Sequence, residues 1–144
     1  MIAKALITSF FLFQNLASAF TCSAKNITGR YSMSLSGTGL EQHPPSIIPF
    51  VGPVVGIGIA RLYADGKLQL IEHLNGAGQI IEDIVLEGKY HVNSNCLGQA
   101  SAVNTFNKKE HTYKFVVSNQ GQKIYLIMTY PTSPVILSEL ARID

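Results

Sequence analysis

The sequence predicts an all-β domain, an up-and-down antiparallel barrel of eight or nine strands. Three observations predict it. Apolar and polar residues alternate over short runs, the period-two pattern of strands with one buried face. Pairs such as Asp65-Gly66 and Asn75-Gly76 separate those runs at hairpin spacing. Beyond the first 19 residues no stretch reads as a helix. A meander of this many strands closes on itself, because closure removes the unpaired edges that invite aggregation; an open sandwich is the alternative.

Residues 1–19 read as a cleavable secretory signal. Lys4 supplies the positive charge, Ala5 to Leu16 the mostly apolar run, and Ala17-Ser18-Ala19 the small residues of a cleavage site. The run is shorter than the roughly 20 apolar residues of a membrane span. The domain is then 20–144, and the expected location is secreted or periplasmic. Cys22 lies where a bacterial lipid-modified cysteine would lie, but lipidation requires small residues directly before it, and Phe20 is bulky. That leaves Cys22 to pair with Cys96, the other of the two cysteines, as expected in an oxidising compartment. The bridge closes a loop of about 75 residues, for which chain entropy gives on the order of 4 kcal/mol. No CxxC spacing suggests a redox-active pair. Asn26-Ile27-Thr28 fits the N-glycosylation pattern.

The first strand is Arg30 to Ser36, with Tyr31, Met33 and Leu35 on one face and serines on the other. Gly37 to Pro53, rich in Gly and Pro and containing His43, reads as a long loop of the kind that covers something. Val54 to Ala64 places Gly56 and Gly58 on the face of Val54, Ala60 and Leu62; glycines there mark a bend, a bulge or a close approach. Asp65-Gly66 makes a two-residue hairpin, and Lys67 to Leu74 returns with Leu68, Leu70, Glu72 and Leu74 on one face. Gln79 to Glu87 carries Ile80, Glu82, Ile84 and Leu86 on one side and Ile81, Asp83 and Val85 on the other. Lys89 to Asn93 is a separate short strand. Cys96 to Thr105 alternates Gly98, Ala100 and Ala102, leaving room beside them. His111 to Ser118, Lys123 to Tyr130 and Val135 to Ile143 complete the series.

The chain has 11 Lys and Arg against 9 Asp and Glu, a formal charge of +2 that falls to +1 when Lys4 leaves with the signal. No basic stripe exists for phosphate, which argues against a nucleic-acid partner. No long apolar run follows the signal, so no integral membrane helix is expected.

The run Gly88 to Ala100, read as G-x-Y-x-V-N-x-x-C-x-G-x-A, resembles a motif of small secreted bacterial and fungal domains of mostly unknown function. These also open with a G-x-Y-x-x-x-x-x-G segment, matched by Gly29 to Gly37. Such domains look like the barrel of allene oxide cyclases and dirigent proteins, which is lipocalin-like in general shape. The resemblance implies a barrel. It carries over no catalytic residue, since no cyclase motif matches residue by residue, and fold does not set function.

Glu72 is the most unusual position, a carboxylate alternating with leucines on the face expected to be buried. It is a candidate general acid or base or a polar ligand anchor; the alternative is a barrel-mouth position or a bulge that turns it to water. Glu82 on the neighbouring strand is a second catalytic candidate that would share the interior with Glu72 and shift its titration. His43 is the third. The four histidines show no metal-ligand spacing, so no metal or cofactor is expected, and surface positions are expected for them. Tyr31, Tyr90 and Phe115 are candidate ligand contacts, with Tyr113, Tyr125 and Tyr130 as further aromatic lining or plain core. No G-x-S-x-G elbow is present.

Three functions fit. The first is a binding barrel for a small apolar ligand, with Gly56, Gly58, Ala100 and Ala102 leaving room and Glu72 as anchor. The second is a cyclase-like isomerase using Glu72 or Glu82, and the third a secreted interaction module or effector with a protein partner. Binding without catalysis is the leading expectation.

Overall fold

A computed structural model of the chain describes residues 19–40 and 51–144. The stretch expected to be a signal, save Ala19, and His43 lie outside the described residues. Eight strands follow in order: β1 Gly29–Gly39, β2 Gly52–Leu62, β3 Lys67–Gly76, β4 Gln79–Val92, β5 Leu97–Asn104, β6 Glu110–Ser118, β7 Lys123–Tyr130 and β8 Val135–Arg142. Each pairs antiparallel with the next, and β8 returns to β1, so the sheet is a closed barrel. Closure leaves no free edge among these strands. Their apolar faces turn inward: Tyr31, Met33, Leu62, Leu68, Leu70, Leu86, Tyr90, Ile124, Leu126 and Leu140 are all buried.

The two runs expected around Gly88 form one 14-residue strand, β4. Gly88 pairs with Leu68 on one side and Ala102 on the other. A Cβ there would collide with the Ser101 carbonyl and lie 2.6 Å from the Ala102 Cα. Gly88 thus marks a close approach of two backbones rather than a break. Gly88→Ala is expected to lower stability by about 1–3 kcal/mol, read from the urea midpoint, because the β5 backbone at Ser101 and Ala102 must shift.

The long loop is narrower than its composition suggests. Gly37, Thr38 and Gly39 pair with Val54, Pro53 and Gly52, extending both strands toward it. Asp65-Gly66 is not a two-residue hairpin. Tyr63 N–H donates to the Lys67 carbonyl at 2.9 Å and Gly66 N–H to the Tyr63 carbonyl at 3.0 Å, a wider turn with Gly66 in the left-handed region at φ 84°. The two-residue turn falls instead on Ala77-Gly78, at φ 50° and 76°, between the paired Gly76 and Gln79, the conformation of a type I′ hairpin.

Glycine did not create empty space. A Cβ on Gly56 would meet a Leu74 methyl at 2.7 Å and Leu35 at 3.0 Å, and one on Gly58 would meet the Met33 methyl at 2.9 Å. Neighbouring side chains already fill those gaps, and the Phe115 ring covers Gly98 in the same way. Ala102 is fully buried.

One end of the barrel is closed. Cys22 and Cys96 are joined, with Cα atoms 5.0 Å apart. The bridge ties the segment before β1 to the β4–β5 turn, where Cys22 N–H also donates to the Ser94 carbonyl at 3.3 Å. Cys96 itself lies in that turn, at φ 69°, rather than at the start of β5. Ile27, in the same segment before β1, is fully buried.

Candidate functional site

Strand direction places the β1–β2, β3–β4, β5–β6 and β7–β8 connections at the end opposite the disulfide. There the interior opens into a cavity of about 400 Å³. Its apolar wall comes from Leu35, Leu74, Ile81, Ile84, Met128 and Ile136; its polar groups are Glu72, Glu82, Asp83, Asn104, Asn107, His111, Tyr113 and Ser138. Packing dictates the asymmetry between the two ends. Toward the disulfide, Leu, Tyr and Ile side chains meet across the barrel, whereas the inner face toward the other end carries polar groups such as Glu72, His111 and Ser138.

Glu72 points inward as its alternation predicts. It pairs with Gly58 on β2 and Ile84 on β4 and is 8% exposed. No hydrogen bond or ion pair reaches its carboxyl among the described residues. Burial without a partner pushes its pKa up to about 7, because the charged form loses its hydration and gains nothing in exchange.

Glu82 does not share that burial. Two residues of β4, Glu82 and Asp83, stand opposite His73 on β3, a β-bulge between the pairs Glu72↔Ile84 and Leu74↔Ile81. Asp83 takes φ 54°, and its N–H donates to His73 Nδ1 at 3.2 Å. The extra residue reverses the facing of everything before it, so Ile81 rather than Ile80 points inward, and Ile80 is 67% exposed. Glu82 and Asp83 are exposed at the cavity rim. The two glutamates therefore line one cavity at different depths.

His111 was expected on the surface but is buried at 3% exposure. Its Nδ1 lies 3.3 Å from the Tyr113 hydroxyl, while its Nε2 is buried with no hydrogen-bond partner among the described residues. Burial, with Lys109 nearby, lowers its pKa to about 4, so the ring is neutral at physiological pH. Tyr113 is pushed well above its usual value, by burial first and by the Glu72 charge second. The signal for His111 was present in the sequence, since it keeps the phase of Tyr113, Phe115 and Val117.

The other expected ligand contacts lie elsewhere. Tyr31 sits at the closed end, where its hydroxyl accepts from Arg142 Nη2 at 2.8 Å and faces the Ile27 and Gly121 carbonyls at 2.8 and 3.0 Å. Tyr90 donates to the Tyr63 carbonyl at 2.7 Å. Among the leucines of the interior, Tyr90 and Phe115 line a void of about 30 Å³, room for little more than a water. Tyr125 and Tyr130 are exposed, at 36% and 45%. The rings near the disulfide therefore fill and lock the barrel instead of lining its cavity.

Among the described residues no group of three or more His, Cys, Asp or Glu side chains is placed to hold a metal ion. No helix of the described residues is long and apolar enough to cross a membrane.

Fold and cavity define a closed eight-stranded antiparallel barrel, packed at one end and hollow at the other. Among solved structures the chain is similar to a redesigned β-barrel, with a TM-score of 0.56 and 10% identity, over 88% of this chain and 100% of that one. At that identity the likeness concerns the fold alone. No family model and no curated protein matches the chain.

Proposed function

We propose that the protein is an exported barrel that holds a small, mainly apolar ligand in its interior, with Glu72 anchoring the ligand's polar end. The observation that carries this reading is the cavity of about 400 Å³ with an unpaired carboxyl in its apolar wall. Its size falls within the range of small-molecule pockets, roughly 300–1,000 Å³, and its mix of apolar walls and few polar groups is typical of them. The disulfide suits an oxidising compartment.

Native mass spectrometry of the protein purified from its source tests the proposal. The expected result is a mass excess that disappears on denaturation and is displaced by an apolar fluorescent probe. A bare mass, together with no probe binding, removes the reading.

A cyclase-like isomerase is the second reading, favoured by one observation: the buried Glu72 carboxyl shares the cavity with Tyr113, and burial pushes its pKa up to about 7, which suits a general acid or base. If the ligand recovered from wild type and from Glu72→Gln is the same isomer, binding without turnover is the function.

A further inference from the structure

We infer that the ligand is an organic cation, an amine with an apolar body, whose ammonium group is received by Glu72. This rests on the binding-barrel reading and names its ligand class. The described residues lining the cavity include three carboxylates, Glu72, Glu82 and Asp83, and among them there is no Lys or Arg. Yet the whole chain carries slightly more basic than acidic residues, so the cavity's acidity is local. The carboxylates are also staged by depth. Glu82 and Asp83 stand exposed at the rim, where the bulge puts them. Glu72 lies below, buried to 8% exposure and without a partner among the described residues.

The energetics favour this choice of occupant. Burial to 8% exposure already denies the Glu72 carboxyl much of its hydration, so an arriving cation meets a group whose desolvation cost is largely spent. An anionic ligand would face three carboxylates with no counter-charge among the described residues of the lining. A neutral alcohol gains one hydrogen bond, weaker than a charge-assisted one in the same place. The groups facing Glu72 do not compete with the cation: β2 offers Gly58, β4 offers Ile84, and on β6 Tyr113 and His111 are neutral. Lys109 acts on His111 from the β5–β6 connection and is not among the lining residues. The Tyr113 ring lines the same cavity.

Three compounds sharing one skeleton test the inference: 4-phenylbutylamine, 4-phenylbutan-1-ol and 4-phenylbutyric acid, titrated calorimetrically into the full-length mature protein. The amine is expected to bind at least tenfold tighter than either of the others at pH 8. Its affinity is expected to weaken toward pH 5.5, with proton release visible as a dependence on buffer ionisation heat. Glu72→Gln is expected to weaken the amine at least tenfold while changing the alcohol less than threefold, and the alcohol also reports that the variant is folded. Should that variant fail to fold, the head-group comparison on wild type decides alone. Equal binding of amine and alcohol, or tighter binding of the acid, overturns the amine assignment and leaves the binding-barrel reading standing. Binding of none of the three also overturns it, and the native mass of the source protein then judges the binding reading separately.

Discussion

Glu72→Gln is expected to make the empty barrel more stable than wild type at pH 8, by on the order of 3 kcal/mol, and to lose that advantage near pH 4.5. The carboxyl's folded value of about 7 lies above its ordinary 4.5, so between those limits the folded chain holds a proton that the unfolded chain has released. Stability therefore falls as pH rises from about 4.5 to 7 and stays low beyond. Glutamine keeps the shape and removes the charge. His111 acts in the opposite direction. Its folded value, near 4, lies below the ordinary 6.5, so its contribution is present above about pH 6.5 and is lost as pH falls toward 4. In wild type the two slopes oppose each other between pH 4.5 and 6.5, and the stability profile is nearly flat there. In Glu72→Gln the histidine slope stands alone. Urea unfolding at half-unit intervals from pH 4 to 8 reads both; identical profiles for the two proteins would show that Glu72 is hydrated in solution. A bound amine is expected to offset the wild-type penalty at pH 8, because it would supply the missing counter-charge.

Removing the disulfide is expected to cost about 2–5 kcal/mol while leaving the cavity's ligand preference intact. Cys22→Ala with Cys96→Ala frees the segment before β1 from the β4–β5 turn and releases the unfolded chain from a long closed loop. The damage is confined to the closed end. Ile27 loses its anchor over the Tyr31 and Arg142 hydrogen bonds, whereas Glu72, His111 and Tyr113 lie toward the other end, where the β5–β6 turn and the Ala77-Gly78 turn are. The urea midpoint measures the cost, and hydrogen exchange locates it. Protection is expected to fall first at Ile27 and at the Asn93 to Cys96 turn, with β3 amides around Glu72 keeping theirs until global unfolding. Uniform loss of protection across all eight strands would mean that the bridge holds the whole barrel closed.

Much of this architecture is legible along the chain. The alternation of Tyr31, Met33 and Leu35 with serines, and of Leu68, Leu70, Glu72 and Leu74 with polar residues, is enough to orient β1 and β3 and to place an acid on the inner face. Two cysteines behind a signal-like leader are enough to pair them. These readings succeed because a side chain's facing within an unbroken strand depends only on the pleat, a local property with a period of two. The same property explains why His111 was readable in phase with Tyr113, although a histidine in a polar neighbourhood suggested a surface.

Only the tertiary structure decided the rest. The bulge at Glu82 and Asp83 is a mismatch between two strands, so nothing in β4 alone signals that Ile81 turns inward, Ile80 outward and Glu82 to the rim. Gly88 looked like a break because its real constraint, the backbone of β5, is 14 residues away in sequence at Ala102. Tyr31 and Tyr90 looked like cavity lining because facing inward does not say how far along the barrel a ring lies or whether another side chain already fills the space beside it. Depth along the barrel axis, register between strands and the space left after packing are properties of pairs and layers of residues; they arise when the strands meet, and they are what placed one unpaired acid in a cavity of about 400 Å³.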